Sequence, residues 1–383
     1  MKSKICILSS FLLIFSAYSC SATSQKSLNT KPTSKTGQGL TSEIKVANAA
    51  EVLAAVKNAK PGDVILVKGG TYNFDQRIDI KVSGTEDAPI VLKSDPSDKQ
   101  RATFNFAALA EGDSNQGIIL RSSYWHIKAI DIVKAGDNGI LITGGHDNTI
   151  EFCTFSQCAD SGLQISGGAS NNLILNCDSY FNADSKIENA DGFACKLDVG
   201  SGNKFKGCRA WQNLDDGWDG YLKQTDNVST TYEDCWAFNN GILKNGEPSG
   251  GDGNGFKSGG SDDKTLKHNA TYVNCISANN MKNGFDHNSN RGAIALLNCA
   301  AFFNKNKNLS FGSKNPVSKL VIQKTVVYGN VGSLVADATK IENNSWQNEM
   351  PLQMADFISL DVKELSKPRK ADGSLPDIKL PKI

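Results

Sequence analysis

The chain has 383 residues, 41 Lys and Arg against 40 Asp and Glu, and a formal charge of +1. That balance sets up no global field for nucleic acid or a membrane surface. With 35 Gly, 10 Pro and no sustained 3.6-residue apolar period, an all-helical protein is excluded and a turn-rich one implied.

The first element is a targeting segment. Lys2 and Lys4 precede the apolar run Ile5 to Ala17, too short to span a bilayer and typical of a signal peptide. It ends in Ala17-Tyr18-Ser19-Cys20, which resembles a bacterial lipobox. Residues 1–19 are read as a lipoprotein-type signal peptide and Cys20 as the lipidated residue. Residues 20–43, rich in Ser, Thr, Lys and Gln, are read as a flexible tether. The expected location is the outer membrane or cell surface through a lipid anchor. Without lipid on Cys20 it is the periplasm or the medium.

Next, Ala49 to Lys60 carries helical spacing, Pro61-Gly62-Asp63 makes a turn, and Val64 to Val67 reads as a strand. A short helix followed by a first strand suits the covered end of a solenoid. The body then repeats. Cys followed five positions on by Asn recurs as Cys177/Asn182, Cys208/Asn213, Cys235/Asn240, Cys275/Asn280 and Cys299/Asn304, with Cys153/Cys158 as a variant. The cysteines that open these units, from Cys153 to Cys299, lie 24, 31, 27, 40 and 24 residues apart. A second marker is a polar residue, Gly and a large apolar residue: Asn138-Gly139-Ile140, Ser161-Gly162-Leu163, Asp191-Gly192-Phe193, Asp216-Gly217-Trp218, Asn254-Gly255-Phe256 and Asn283-Gly284-Phe285.

Short strands and turns at this period are the mark of a parallel β-helix, in which equivalent positions stack as columns. The chain is therefore expected to be all-β: a single right-handed parallel β-helix over residues 44–350 with a short N-terminal capping helix. Residues 351–383 form a tail without its own core, packing back on the coils. The eight cysteines of the body read as a buried ladder, with one or two disulfides left open, and no spacing suggests zinc.

Two neighbouring coils concentrate acid. The repeat puts Asp191 and Asp216 in one slot, Asp215 beside it, and Asp219 two residues beyond its Gly, where alternation keeps it on the same face. Four carboxylates at one corner repel each other without a cation, and this density of hard oxygens suits Ca²⁺ better than Mg²⁺. The same alignment puts Lys257 in the Asp219 slot one coil on, with Asp286 next. A nearby cation and partial burial lower a lysine pKa while carboxylates raise it, so Lys257 reads either as an ion-pair partner or as a general base. Arg291, His287 and Asn288 follow Asp286 on a turn and are candidate substrate contacts. Tyr221 is a candidate sugar platform, and Trp218 falls in the core column.

At these residues the chain resembles the family 9 polysaccharide lyases, a group of bacterial pectate lyases and related pectin-degrading enzymes. The resemblance rests on Asn189-Ala190-Asp191-Gly192-Phe193-Ala194-Cys195-Lys196, on NLDDGWDGY from Asn213 to Tyr221, and on Gly253-Asn254-Gly255-Phe256-Lys257-Ser258-Gly259-Gly260. It implies one catalytic Ca²⁺ on Asp191, Asp215, Asp216 and Asp219, with Lys257 as base. The implied reaction is β-elimination on an acidic pectic polymer, polygalacturonate or rhamnogalacturonan, by a monomer that binds no nucleic acid and meets a membrane only through its lipid. Loops 241–254 and 259–268 are where choice between the two polymers is expected. The competing readings are a polygalacturonase-like hydrolase using paired carboxylates and a non-catalytic glycan-binding solenoid.

Overall fold

The structure is a computed structural model that describes residues 42–187, 189–348 and 352–378. The signal peptide, Cys20 and nearly all of the tether lie outside the described residues. No described helix is long and apolar enough to cross a membrane.

The chain enters through the strand Glu43–Val46 and the helix Ala49–Asn58. Asn48 caps the helix by accepting the Glu51 N–H, and Glu51 reaches back to accept the Ala47 N–H at 2.7 Å. The helix buries Val52, Ala55 and Val56 in the core, next to the first strands. It thereby covers apolar side chains that a preceding coil would otherwise cover.

From there the chain winds through three parallel sheets, of twelve, ten and ten strands among the described residues. Every third strand returns to the same sheet, so each turn of the winding is one coil. The registers make true columns. In the twelve-stranded sheet, Ile150, Ile174, Phe205, Tyr232, Tyr272, Leu296 and Ile322 are successive partners, and all are buried. In the sheet containing Phe193–Cys195, Trp218–Asp219 and Phe256–Lys257, the inward column is Phe193, Trp218, Phe256 and Phe285. These rings stack at centroid distances of 5.0, 4.7 and 4.9 Å. Like residues stack because the coil repeat superimposes their Cα atoms, and each aromatic contact adds about 0.5–1.5 kcal/mol beyond the area it buries.

Corners are held by polar ladders. Asn182, Asn213, Asn240, Asn280 and Asn304 pass side-chain hydrogen bonds along the stack at 2.8–3.0 Å. A second ladder, Asn148 to Asn172 to Asn203, runs at 3.0 and 3.1 Å on another corner. The cysteine column is buried, and all eight described cysteines are free thiols. Cys177, for example, offers its Sγ to the Ile150 carbonyl at 3.4 Å. The residue before each ladder Cys turns through positive φ (Asn176 52°, Gly207 64°, Asn274 55°), a conformation that Asn and Gly adopt at least cost.

The described tail, residues 352–378, lays Phe357, Leu360 and Leu365 against Trp236, Phe238, Ile276 and Phe302. A buried clamp fastens it. Arg369 and Arg209 both pair with Asp178 at 2.7 Å, and Arg209 also donates to the carbonyls of Leu365 and Lys367.

Candidate active site

Six coils place their polar–Gly–apolar marker at one corner, and the polar residue there has a structural duty. Asn254 Oδ1 accepts the Asn283 N–H one coil on, at 3.1 Å. Asp216 Oδ1 does the same for Asn254 N–H at 2.6 Å, and Asp191 Oδ1 for Asp216 N–H at 3.1 Å. One oxygen of each Asp thus replaces an Asn amide oxygen in the ladder. The other oxygen, where Asn would carry NH2, is left for a cation.

Those second oxygens meet ammonium groups. Asp191 Oδ2 accepts from Lys196 Nζ at 2.9 Å and from Ser161 Oγ at 3.2 Å. Asp216 Oδ2 is fully buried and receives no hydrogen bond of good geometry; its close neighbour is Lys257 Nζ at 3.1 Å. Asp215, beside the slot, accepts the Asp252 N–H at 2.6 Å from the long loop 241–254. Asp219 is the register partner of Lys257. Its Oδ1 accepts the Tyr221 N–H at 3.0 Å and stands 3.5 Å from Lys257 Nζ, and its Oδ2 stands 3.5 Å from Lys196 Nζ.

Asp191, Asp215 and Asp216 each present an oxygen within 4.8 Å of the others. Asp219, the fourth sequence-derived ligand, lies alongside between the two lysines. The residues fit a hard divalent cation. The donors are all carboxylate oxygens, and the buried Asp216 Oδ2 receives no hydrogen bond of good geometry, with only the Lys257 ammonium near it to answer its charge.

Electrostatics agree. Burial, with neighbouring carboxylates adding to it, pushes Asp191 and Asp215 up to about 8 and Asp216 to about 7. Burial acts on Asp219 too, but Lys257 and Lys196 outweigh it and hold that carboxyl below its ordinary range. For Lys257, burial favours the neutral form, yet Asp216, Asp219, Asp191 and Asp215 together raise its pKa well above the ordinary lysine value. In the metal-free site Lys257 is therefore a charged ion-pair partner. A further positive charge answering those carboxylates would bring its pKa back down.

The cluster opens into a cavity of about 440 Å³ whose lining includes Lys196, Asp219, Tyr221, Lys223, Lys257 and Asn288. Of the three turn residues expected to touch substrate, Asn288 alone lines it. His287 is buried with its ring beside Phe311, its Nδ1 bonded to the Ser310 carbonyl at 2.9 Å. Arg291 pairs with Asp337 at 3.3 Å. The physical reason is alternation: residues adjacent on a strand end do not share a direction. Tyr221 lines the cavity, with its hydroxyl on Asp262 at 2.6 Å and Lys264 over its ring. Trp218 is in the core.

Lys196 carried no role in the sequence reading. Its signal was the alternation that placed Asp219, since Lys196 lies two residues past Ala194, the register partner of Asp219. Asp252 was equally hidden, because a loop residue has no column.

Residues 33–324 match the family described as Pel9A-like, right handed beta helix region, which supplies the hand of the winding. Pectate lyase L of Dickeya chrysanthemi is 34% identical over 339 residues, 85% of this chain and 77% of its own length. Pectate lyase PEL9 of Emericella nidulans is 32% identical, over 84% of each chain. The crystal structure of pectate lyase Pel9A superposes with a TM-score of 0.78 at 30% identity, covering 89% of this chain and 88% of its own. A rhamnogalacturonan lyase structure superposes at 0.77 with 24% identity, covering 89% of this chain and 96% of its own. At that identity the likeness speaks for the fold.

Proposed function

From the premise that this chain belongs to the Pel9A-like right-handed β-helix family, the family 9 pectate lyase group, and is a polysaccharide lyase, we propose that Lys257 is the base of a β-elimination on galacturonate-containing polymer, beside a calcium ion held by Asp191, Asp215, Asp216 and Asp219. The observation that carries this reading is the position of Lys257 Nζ. It lies 3.1 Å from Asp216 and 3.5 Å from Asp219, at the wall of the cavity and the edge of a three-carboxylate cluster.

A bound calcium ion would polarise the uronate carboxylate and make the C5 proton more acidic. Lys257, once its carboxylate partners are answered by that charge, takes the C5 proton. The C5–H electron pair becomes a C4=C5 double bond as the C4–O4 bond breaks; O4 leaves on the other fragment and takes a proton from solvent, and the new non-reducing end is an unsaturated uronate. No water is consumed. Lys257 and Asp219 sit on paired strands, and Asp191, Asp215 and Asp216 sit on the short bends that lead into strands of the same sheet, so little reorganisation accompanies the reaction. Asn288 and Tyr221, which line the cavity, are within reach of bound sugars.

The substrate is an acidic pectic polysaccharide, and export as a lipoprotein through Cys20 accords with a polymer met outside the cytoplasm. The test is an assay on polygalacturonate and on rhamnogalacturonan, each with calcium and with chelator. Elimination yields a conjugated product that absorbs in the ultraviolet and needs calcium. New reducing ends without that absorbance would replace the lyase reading with a hydrolase.

A further inference from the structure

Two lysines flank the carboxylate cluster, and the family-type chemistry uses one of them. Lys257 stands at the Asp216 end and Lys196 at the Asp191 end, while Asp219 lies between, one oxygen 3.5 Å from each ammonium. Of the three carboxylates that cluster within 4.8 Å, Lys196 touches only Asp191. Its side chain is 7% exposed. It also has the shortest lysine contact in the cluster, 2.9 Å to Asp191 Oδ2.

Given the proposed calcium cage, we propose that Lys196 is a positioning residue and resident counter-ion of that cage: it bridges Asp191 and Asp219 across adjacent coils and sets how tightly the cage holds a divalent cation. Four carboxylates with Lys257 alone would leave three negative charges at a buried corner. With Lys196 the remainder is two while both lysines are charged, and three once Lys257 has lost its proton to act as base, so the corner still attracts a divalent cation in either state. Lys196 acts in two ways. Before the cation arrives it holds Asp191 and Asp219 in place and relieves their repulsion. Once the cation is bound, the same ammonium shares Asp191 with it, and like charges a few ångströms apart in a buried site oppose each other strongly. The cost of a preformed cage is weaker cation binding.

The test is calorimetric titration of calcium chloride into the chelator-stripped full chain, without polymer, paired with thermal melts with and without calcium. Lys196→Met should bind calcium at least about tenfold tighter than the parent, because a fixed like charge is gone. It should also melt below the parent in chelator, with the gap closing once calcium is added. Lys196→Arg, which keeps the charge, should stay within about threefold of the parent affinity. If the Met variant does not fold, Lys196→Gln carries the same expectation of tighter binding.

Unchanged or weaker calcium affinity in the neutral variants, with a melting loss equal in both conditions, would overturn the proposal and make Lys196 a packing residue. A parent chain that takes up calcium while those variants do not differ from it sinks the role of Lys196 alone. A parent that binds no calcium sinks the cage and this proposal together.

Discussion

Asp219 and Lys257 are register partners on adjacent parallel strands, and their charged ends lie 3.5 Å apart. Along this column the partners run Ala194, Asp219, Lys257 and Asp286, so a lysine stands where its neighbours on both sides hold Asp. The site follows from that substitution of Lys for Asp within a repeating frame, and its consequences are measurable.

The ladder role of Asp216 separates fold from cation binding. Asp216→Asn keeps an oxygen for the Asn254 N–H and removes the oxygen that faces Lys257. It should melt within about 2 °C of the parent in chelator, because a buried carboxylate is exchanged for a neutral ladder group. Its calcium-induced rise in melting temperature should vanish. Asp216→Ala loses both functions and should melt well below the Asn variant. Equal losses in the two variants would contradict the division of labour between the oxygens.

The metal-free site should make stability fall as pH rises. Asp191, Asp215 and Asp216 have folded pKa values raised to about 8, 8 and 7, against about 4 in an unfolded chain. A carboxyl raised in the folded state contributes stability that is whole below about pH 4 and lost as pH climbs through the folded value. Melting in chelator should therefore drop by roughly 5 °C or more between pH 5.5 and pH 9. Calcium should flatten that slope, since it stabilises the charged forms. A flat profile in chelator would show that the three carboxyls are not raised.

The tail clamp is open to the same reasoning. Asp178 is the shared partner of Arg209 and Arg369, both nearly buried. Asp178→Ala leaves two guanidinium groups without their carboxylate, a loss of about 3–5 kcal/mol by analogy with broken buried pairs. Limited proteolysis should then cut near residues 366–372 in the variant while sparing the parent. Resistance equal to the parent would mean that the apolar contacts of Phe357, Leu360 and Leu365 hold the tail alone.

Much of this architecture was readable from spacing because a solenoid turns sequence period into spatial neighbourhood. Cys177 and Cys208 stack because they are one coil apart, and Asp191 meets Asp216 for the same reason. What spacing hid is physical too. Asn148, Asn172 and Asn203 form a ladder five residues before Cys153, Cys177 and Cys208, but Thr230 and Ala270 take that slot in the next coils, so the spacing does not persist along the chain. Lys196 reaches Asp191 and Asp219 through its own long side chain, a contact that belongs to no column. Asp252 comes from an insertion that folds back over Asp215. His287 and Arg291 sit one and five residues beyond Asp286, yet alternation turns His287 into the core and the turn carries Arg291 to Asp337.

The most direct measurement is the formation of ultraviolet-absorbing product by Lys257→Ala, beside the parent, on polygalacturonate with calcium present, together with polymer binding by both proteins. If Lys257 is the base, the variant stays folded, still binds calcium and polymer, and loses about two to four orders of magnitude in rate. Product formed at the parental rate by a folded Lys257→Ala chain would contradict the account, because the proton would then be leaving to some other group.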